Sequence, residues 1–380
     1  MPSSVLVRST ASAVAFVATL GLASAQVNVA LCGAAGSATG CQWLTTQAAL
    51  QATGLFNTVD IIDVTTAGGG TPTLAQLSQY DALLCWTNTT PANNVTWGDV
   101  LADYVDQGGG VVVAVFANSS TTTGRNIGGR WQTGYEVVLD QGGSATGAAS
   151  LGIVHDPLHP VMAGVGAFTG GTISSRPTAT ALEIGSTLIA EWSDGKVLVA
   201  QGALSNRVDL GFYPPPASCS QSGWAQGGDQ LMANALLHVA NTAKYHTYGD
   251  GCVGTAGVPV LAPVVGSRPV LGASVQVTVT NAPFDAGIML LGFSDTLSGG
   301  IPLPFDLTFL GMTGCSLLTD AFQTDFLIGA GGVLGYSLAI PNAPVFLGAE
   351  FYNQAGIFDP TANPFGFTAS NGGRGRIGLP

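Results

Sequence analysis

The stretch "GGGVVVAVFANSS", residues 108–120, decides the expected fold of the first half of the chain. Three glycines end a helical pattern and lead into "VVVAVF", an unbroken run of mostly β-branched apolar residues. Such a run is typical of a central strand in a parallel sheet, because both faces of that strand are buried. Phosphate-binding loops place their glycines after a strand rather than before it. The stretch therefore predicts a buried central strand whose carboxyl end, at Phe116–Asn118, can line a site.

Strand and helix patterns alternate on either side of this strand, from residue 27 to residue 243. Strand patterns such as "VNVALCG", "TVDIIDV" and "DALLCW" are separated by helical patterns such as "CQWLTTQAALQATG" and "TWGDVLADYVDQGGG". Further on, the turn 193–195 predicts a hairpin, and "GGDQLMANALLHVANTA" predicts a closing helix. This order predicts a flavodoxin-like α/β domain, a parallel sheet with helices on both faces.

The sequence pattern changes from mixed helix and strand to strand alone after a predicted linker at residues 244–249. From residue 250 to residue 380, segments such as "SVQVTVTNAP", "GIMLLGFS" and "VFLGAEFYNQ" lie between Gly, Pro and Asn turns. This pattern predicts an all-β domain, an antiparallel β-sandwich. At the other end, residues 1–25 have a short apolar core and the cleavage pattern Ala23-Ser24-Ala25. They predict a secretory signal peptide, so we expect the protein to be exported and extracellular or associated with the cell surface.

Charge is scarce and negative, which limits the classes of partner. Only 8% of residues are charged, and 10 Lys and Arg stand against 22 Asp and Glu, for a net charge of −12. An acidic surface repels phosphate backbones, so we expect no nucleic-acid partner. No apolar stretch after the signal peptide has the length of a membrane span, so none is expected in the mature chain.

The six cysteines predict disulfides, since an even number in an exported chain favours them. Cys252 and Cys315 are the only two in the second domain, and we expect them to pair. The pairing of the four others stays open. Cys32 could pair with Cys41 and Cys85 with Cys219, but four cysteines allow three connectivities. No Cys-x-x-Cys pattern supports a structural zinc site.

The candidate site residues lie in two segments of the first domain. His155, Asp156 and His159 occur in "HDPLHPVMAGV", where they could bind a metal or move protons, or form a rigid turn. We expect four residues of the loop after the central strand to face this segment. They would either bind a ligand or cap and stabilise the loop itself. These are Asn118, Arg125, Arg130 and Trp131.

Cys85 offers a second candidate, as a reactive thiol with a histidine partner, against a disulfide or a small buried residue. His238, in the closing helix, and His246 are expected to have structural roles.

Residues 27–243 resemble the class I glutamine amidotransferase-like proteins, and among them the trehalose-utilisation (ThuA-like) branch. The resemblance lies in the order of strands and helices, the glycine-led strand Gly108–Phe116 and the His159-Pro160 turn. It implies a flavodoxin-like fold. Amidotransferases carry a cysteine in a tight elbow where this sequence has Phe116-Ala117-Asn118. The hydroxyls of Ser119 and Ser120 follow, but not in a Gly-x-Ser-x-Gly context, so no catalytic nucleophile is predicted.

The second domain resembles a C-terminal β-domain that recurs on exported proteins of planctomycetes and myxobacteria. The segments "YGDGC", "GTAGVPVLAP", "LPFDLTFLGMTGCSL" and "FGFTASNGGRGRIG" carry this resemblance, and it implies no enzymatic role. The domain has no histidine and only scattered carboxylates, which favours an accessory role in surface retention or adhesion.

The first functional hypothesis is an exported, non-catalytic binding or structural module of the bacterial cell exterior, without a cofactor or a metal. A carbohydrate or another cell-surface component would be its partner. The alternative is a hydrolase or carbohydrate-processing enzyme that uses His155, Asp156 and His159, with or without a metal. A third possibility is a structural envelope component in which both domains act as spacers.

Overall fold

The computed structural model describes residues 27–139 and 142–380, so the expected signal peptide at residues 1–25 lies outside the described residues. The chain divides into two compact units, one that ends at Thr242 and one that begins at Ala243. None of the helices in the described ranges has the length and apolar character needed to cross a membrane.

The first unit is an α/β domain. Its helices are α1 (Cys41–Ala52), α2 (Leu74–Leu77), α3 (Asn94–Asp106) and α4 (Gly228–Ala240). Its strands are β1 (Val27–Ala34), β2 (Phe56–Asp63), β3 (Ala82–Thr87), β4 (Gly110–Ala114), β5 (Ser144–Thr146), β6 (Leu151–Val154), β7 (Thr169–Gly170), β8 (Ser175–Pro177), β9 (Thr187–Trp192), β10 (Val197–Gln201), β11 (Arg207–Leu210), β12 (Tyr213–Pro216) and β13 (Gly223–Gln226).

The central sheet of this unit has the flavodoxin-like strand order. Its eight strands follow the order β2-β1-β3-β4-β11-β10-β9-β6. The first five are parallel to one another, and the last three extend the sheet with antiparallel strands. Strand order reverses between β1 and β3, because the chain leaves β1 towards one edge of the sheet and β3 towards the other. The sequence-based assignment of a flavodoxin-like α/β domain is confirmed.

Helices cover both faces of the sheet, as the continuous apolar strands require. One hydrophobic cluster joins α1 and α4 to the sheet, with Trp43 and Leu236 at its centre. A second cluster joins α2 and α3 to the opposite face, with Leu77 and Trp97. Every residue of β4 is buried, which confirms the central strand predicted from residues 108–120.

The second unit is an antiparallel β-sandwich, as predicted. Its strands are β14 (Lys244–Tyr248), β15 (Val260–Pro263), β16 (Ser274–Thr280), β17 (Ala286–Gly292), β18 (Leu297–Ser298), β19 (Ile301–Pro302), β20 (Phe305–Asp306), β21 (Ser316–Leu317), β22 (Gln323–Ile328), β23 (Leu334–Ala339), β24 (Glu350–Phe358) and β25 (Phe367–Arg376). A five-stranded sheet, β14-β25-β24-β17-β22, and a three-stranded sheet, β15-β16-β23, enclose one apolar core.

The expected linker at residues 244–249 is wrong, because most of it forms strand β14 of this sandwich. Lys244 to Tyr248 pair with β25 in five consecutive register positions. The first residue of the second unit, Ala243, also donates its backbone N–H to the carbonyl of Leu379. The segment "KYHTY" is therefore a strand rather than a connection between domains.

Within the described residues, each unit contains one disulfide, which connects distant parts of its chain. Cys252 and Cys315 form the bond expected from the cysteine count, and Cys41 pairs with Cys219. The considered pairing of Cys32 with Cys41 is wrong, because Cys32 belongs to the cluster under α2 and α3, whereas α1, which begins at Cys41, packs on the opposite face of the sheet.

Cys85 is neither a disulfide nor an activated thiol. It lies on β3 directly beside Cys32 on β1, and both thiols are free and buried. Burial raises the pKa of the Cys85 thiol well above its ordinary value, and its hydrogen bond with Cys32 raises it further. A thiol that resists ionisation is a poor nucleophile.

Candidate functional site

The carboxyl ends of β1 and β3 form the point at which strand order reverses. Ala34 and Thr87, the last residues of these strands, are register partners. The chain continues from Thr87 into Asn88, whose backbone N–H donates to the carbonyl of Ala34. In open α/β sheets, ligands bind in the crevice outside the strand ends at such a reversal. Residues at this edge are therefore the first candidates for a site.

Phe116 occupies the place where a nucleophile would follow the central strand. Its backbone N–H donates to the carbonyl of Thr87 at 3.1 Å, which holds the end of β4 against the end of β3. Its ring lies 5.4 Å from the ring of Tyr213. The guanidinium of Arg125 stands 4.3 Å above the Phe116 ring. The strand end thus presents an aromatic ring that contacts a phenol and a cation, in the place where a thiol would lie.

Arg125 is the one predicted binding residue that the structure places at this edge with donors to spare. Its Nη2 donates to Asn88 Oδ1 at 2.8 Å. Its Nε is buried and has no hydrogen-bond partner within residues 27–139 and 142–380. Burial lowers the pKa of the guanidinium, although the nearby Tyr213 acts in the opposite direction. Arg125 is therefore a partly desolvated cation that is held by a neutral amide.

Three buried hydroxyls lie along the same strand ends, and none has a hydrogen-bond partner in the part of the chain that the structure describes. They belong to Thr87 at the end of β3, Ser119 after β4 and Tyr213 after β11. Burial raises the pKa of the Tyr213 phenol far above its ordinary value, so this group stays a neutral donor. Buried polar groups are rarely left unpaired, and each such group needs a structural or functional explanation.

Asn118 has a structural role instead of facing a ligand. Its Nδ2 donates to Asp209 Oδ2 at 2.9 Å, and the backbone N–H of Val138 donates to the same oxygen at 3.0 Å. Arg207 Nη2 donates to Asp209 Oδ1 at 3.0 Å, and both side chains of this ion pair are buried. Trp131 packs under this pair, with its ring 4.3 Å from the Arg207 guanidinium. Asn118 and Trp131 therefore anchor the loop after β4 to the sheet.

Arg130 lies on the outer side of α3, away from the strand ends. Its guanidinium forms ion pairs with Asp103 and Asp106 of that helix and donates to Tyr135 Oη at 2.8 Å. The hydrogen bond with Tyr135, followed by that with Asp103, raises the pKa of Arg130. Of the four loop residues proposed for binding, only Arg125 remains available.

The three polar residues of "HDPLHP" do not form one acid–base set. His155 Nε2 lies 3.3 Å from Glu191 Oε1. Asp156 Oδ1 accepts from the backbone N–H of Leu158 within its own turn at 3.1 Å. His159 Nδ1 accepts from the N–H of Val161, and burial lowers the pKa of this imidazole. Each side chain satisfies a different group, so the segment behaves as a rigid turn.

His238 of α4 lies next to this turn. The sequence placed it in a helix but did not indicate this contact. Its ring lies 4.9 Å from that of His159, and its Nε2 is 2.7 Å from Gln201 Oε1. Burial, and then the charge that His159 would carry, lower the pKa of His238 to about 4. Two histidines in contact also disfavour protonation of each other, so this pair is neutral near pH 7. Within the described ranges, His, Cys, Asp and Glu side chains nowhere gather in groups of three that could hold a metal ion.

A polar cavity of about 340 Å³ opens on another part of the domain, beside the end of β2. Asp63, the glycines 68–70, Gln79 and Tyr80 are among the residues that line it. The Tyr80 hydroxyl donates to Asp60 Oδ2 at 3.1 Å. Amide, hydroxyl and carboxylate groups around one cavity offer both donors and acceptors, as a neutral polar ligand requires.

Comparisons with known proteins return structures but no sequence family. No protein-family model matches the chain, and no curated protein matches it. Among solved structures, a protein described as ThuA-like from Bacteroides uniformis is 14% identical, with a TM-score of 0.43, over 60% of this chain and 96% of that chain. A protein described as a GMP synthase subunit from Thermoplasma acidophilum is 12% identical, with a TM-score of 0.36, over 57% of this chain and 94% of that chain. The fold assignment rests on the strand order described above, and the resemblance of the second unit to a planctomycete and myxobacterial β-domain stays a prediction.

Proposed function

We propose that the protein is an exported, non-catalytic binding module of the bacterial cell exterior, with a carbohydrate or another cell-surface component as its partner. The observation that carries this proposal is that the residues at the strand ends do not form a nucleophile–base pair. Phe116 stands in the nucleophile's place, and His155 and His159 bond to separate groups. Nucleophilic catalysis needs a nucleophile with a base in hydrogen-bond reach, and these residues do not supply one.

The polar cavity beside β2 supports a carbohydrate as the partner. Its volume of about 340 Å³ is at the lower end of the range for small-molecule sites. Gln79 and Tyr80 line it with side-chain groups that suit sugar hydroxyls. The chain's net charge of −12 disfavours polyanionic partners and is compatible with a neutral glycan. The two disulfides are compatible with an oxidising compartment outside the cytoplasm.

The rival function is a hydrolase that uses His155, Asp156 and His159. One observation favours it, namely the carboxylate of Glu191 at 3.3 Å from His155, a pair that can move a proton. In this case His155 and Glu191 would form the acid–base pair, and substitution of either would abolish turnover.

Two measurements on the mature protein test the proposal. The first is turnover of glutamine, peptides and glycosides, for which we expect no activity above that of a His155→Gln variant. The second is binding to an array of neutral cell-surface glycans, for which we expect a signal that falls at least about tenfold in Gln79→Ala. The matched control is Gln51→Ala, an exposed glutamine of α1 outside the cavity, which keeps the signal. Turnover that depends on His155 would refute the non-catalytic function.

A further inference from the structure

Arg125 differs from the other arginines of the first unit, because it has no carboxylate partner among the described residues. Arg130, Arg176 and Arg207 each form an ion pair with an aspartate. Among the described residues, the Arg125 guanidinium donates only to the amide oxygen of Asn88, although acidic residues outnumber basic ones by 22 to 10 in this chain. Buried or partly buried charges are normally paired, because removal from water is costly for an ion.

The surroundings of Arg125 increase that cost. The Phe116 ring covers one side of the guanidinium at 4.3 Å, and burial lowers its pKa. The ring of Tyr213 contacts the same phenylalanine, and its buried hydroxyl has no hydrogen-bond partner among the residues that the structure describes. A cation and a neutral donor thus both contact one aromatic ring, and both have hydrogen-bond capacity that the described residues do not use. An acceptor with a negative charge would satisfy both.

The position of this group in the fold is an independent reason to expect a ligand. Asn88, which holds Arg125, directly follows the end of β3 where strand order reverses. Two more unpaired buried hydroxyls, of Thr87 and Ser119, belong to the same strand ends. The crevice at such a reversal is the usual ligand site of open α/β sheets.

The Cys41–Cys219 disulfide holds the segment that carries Tyr213. It joins the first residue of α1, which follows β1, to the loop after β12, the strand that begins with Tyr213. The disulfide therefore restrains the backbone shortly after the strand that carries Tyr213. A donor held in this way loses little conformational entropy when it binds.

We infer that Arg125 and Tyr213 bind the carboxylate of a small ligand at the reversal between β1 and β3. A guanidinium and a phenolic hydroxyl are suitable donors for a carboxylate, and the charge-assisted bond from arginine is the stronger of the two. A single negative charge matches the one guanidinium without a counter-ion, because the other three arginines of this unit's described residues are already paired. The inference rests on the proposed binding function, and it adds a second site to the cavity beside β2.

Titration of the full mature chain with acetate tests this inference, since acetate is among the smallest carboxylates. The readout is the NMR signal of the Arg125 Nε–H group, assigned by its loss in Arg125→Gln. We expect this signal to shift with acetate and to saturate in the millimolar range. The Arg130 Nε–H signal, from a paired arginine near the same loop, is the internal control and stays in place. Chloride at equal ionic strength leaves both signals unchanged.

Two variants separate the roles of the charge and the phenol. Tyr213→Phe removes one hydrogen bond and weakens acetate binding by about tenfold or somewhat less. Acetate also raises the melting temperature, followed by tryptophan fluorescence, in the wild type and in Arg130→Gln, but not in Arg125→Gln. If Arg125→Gln does not fold, Tyr213→Phe still carries the test through the Arg125 signal.

Three results would overturn the carboxylate site. They are an Arg125 signal that does not saturate up to about 100 mM acetate, an equal response to chloride, and unchanged affinity in Tyr213→Phe. Phosphate that binds tighter than acetate would replace the carboxylate with a phosphoryl ligand and so refute the inference as stated. None of these results bears on the glycan-binding test with Gln79→Ala or on the turnover test, so the inference and the proposed function can fail separately.

Discussion

Removal of the Asp209 carboxylate is expected to destabilise the first unit more than any surface substitution. Asp209 accepts three hydrogen bonds, from Arg207, from Asn118 and from the backbone of Val138. These bonds join strand β11 to the loop after β4 and to the segment near residue 138. Burial raises the pKa of Asp209 and lowers that of Arg207, so the charged forms persist only because each satisfies the other.

The magnitude follows from what the substitution leaves behind. Asp209→Ala leaves the Arg207 guanidinium buried without its counter-ion, and a broken buried pair typically costs about 3–5 kcal/mol. Removal of a partner from an exposed pair costs less than about 1 kcal/mol, so Asp103→Ala, which removes one partner of Arg130, is the matched control. The double variant Arg207→Met, Asp209→Leu removes both charges and should be more stable than Asp209→Ala alone.

Tryptophan fluorescence during urea unfolding measures this loss in the first unit alone. All six tryptophans lie before residue 243, and the second unit has none. The change in tryptophan fluorescence therefore reports the unfolding of the first unit and not that of the β-sandwich. Equal free energies of unfolding for Asp209→Ala and Asp103→Ala would refute the reasoning, because the buried carboxylate would then be no more important than an exposed one.

Two further predictions concern acid stability and the cysteines. Because burial lowers the pKa of His238 to about 4, its stabilising contribution is complete above its unfolded pKa of about 6.5 and is lost as the pH falls towards 4. We expect a loss of about 3 kcal/mol over this range, measured by urea unfolding, and a flatter profile in His238→Gln, whereas an unchanged profile would contradict this. In the absence of reductant, iodoacetamide should label no cysteine of the native protein and only Cys32 and Cys85 after denaturation, as read by mass spectrometry. Labelling of Cys41 would contradict the disulfide assignment.

The fold could be predicted from the sequence because its main signals are local. The continuous apolar run of β4 and the helical spacing of "TWGDVLADYVDQGGG" each lie within fifteen residues, and each specifies one element. The short strand β14 escaped prediction because five residues without an apolar alternation look like a connection. Its partner, β25, lies more than 100 residues further along the chain, so nothing near "KYHTY" indicates a strand.

The cysteine pairing and the site depend on contacts between distant residues, which no local pattern contains. Cys41 and Cys219 are 178 residues apart, and proximity in sequence favoured Cys32 instead. Asn118 was expected at a ligand because it follows a buried strand. Its actual partner, Asp209, stands in "RVDL", which reads as an ordinary strand and gives no sign of a buried ion pair.

Two arginines of the first unit show how structural and ligand-binding cations can be told apart. Arg207 donates to the carbonyls of Tyr135 and Val111 and to the Asp209 carboxylate, so its buried charge has a counter-ion and two further acceptors inside the protein. Arg125 is partly buried against Phe116 with only a neutral amide as its partner, so its desolvation is not compensated by the described residues. A partly buried cation without a counter-ion among the described residues, at the edge where open α/β sheets bind ligands, fits the proposed carboxylate ligand, which would stabilise the folded chain. The same argument assigns Arg207 to the fold and Arg125 to binding, although nothing in the sequence around either arginine distinguishes the two roles.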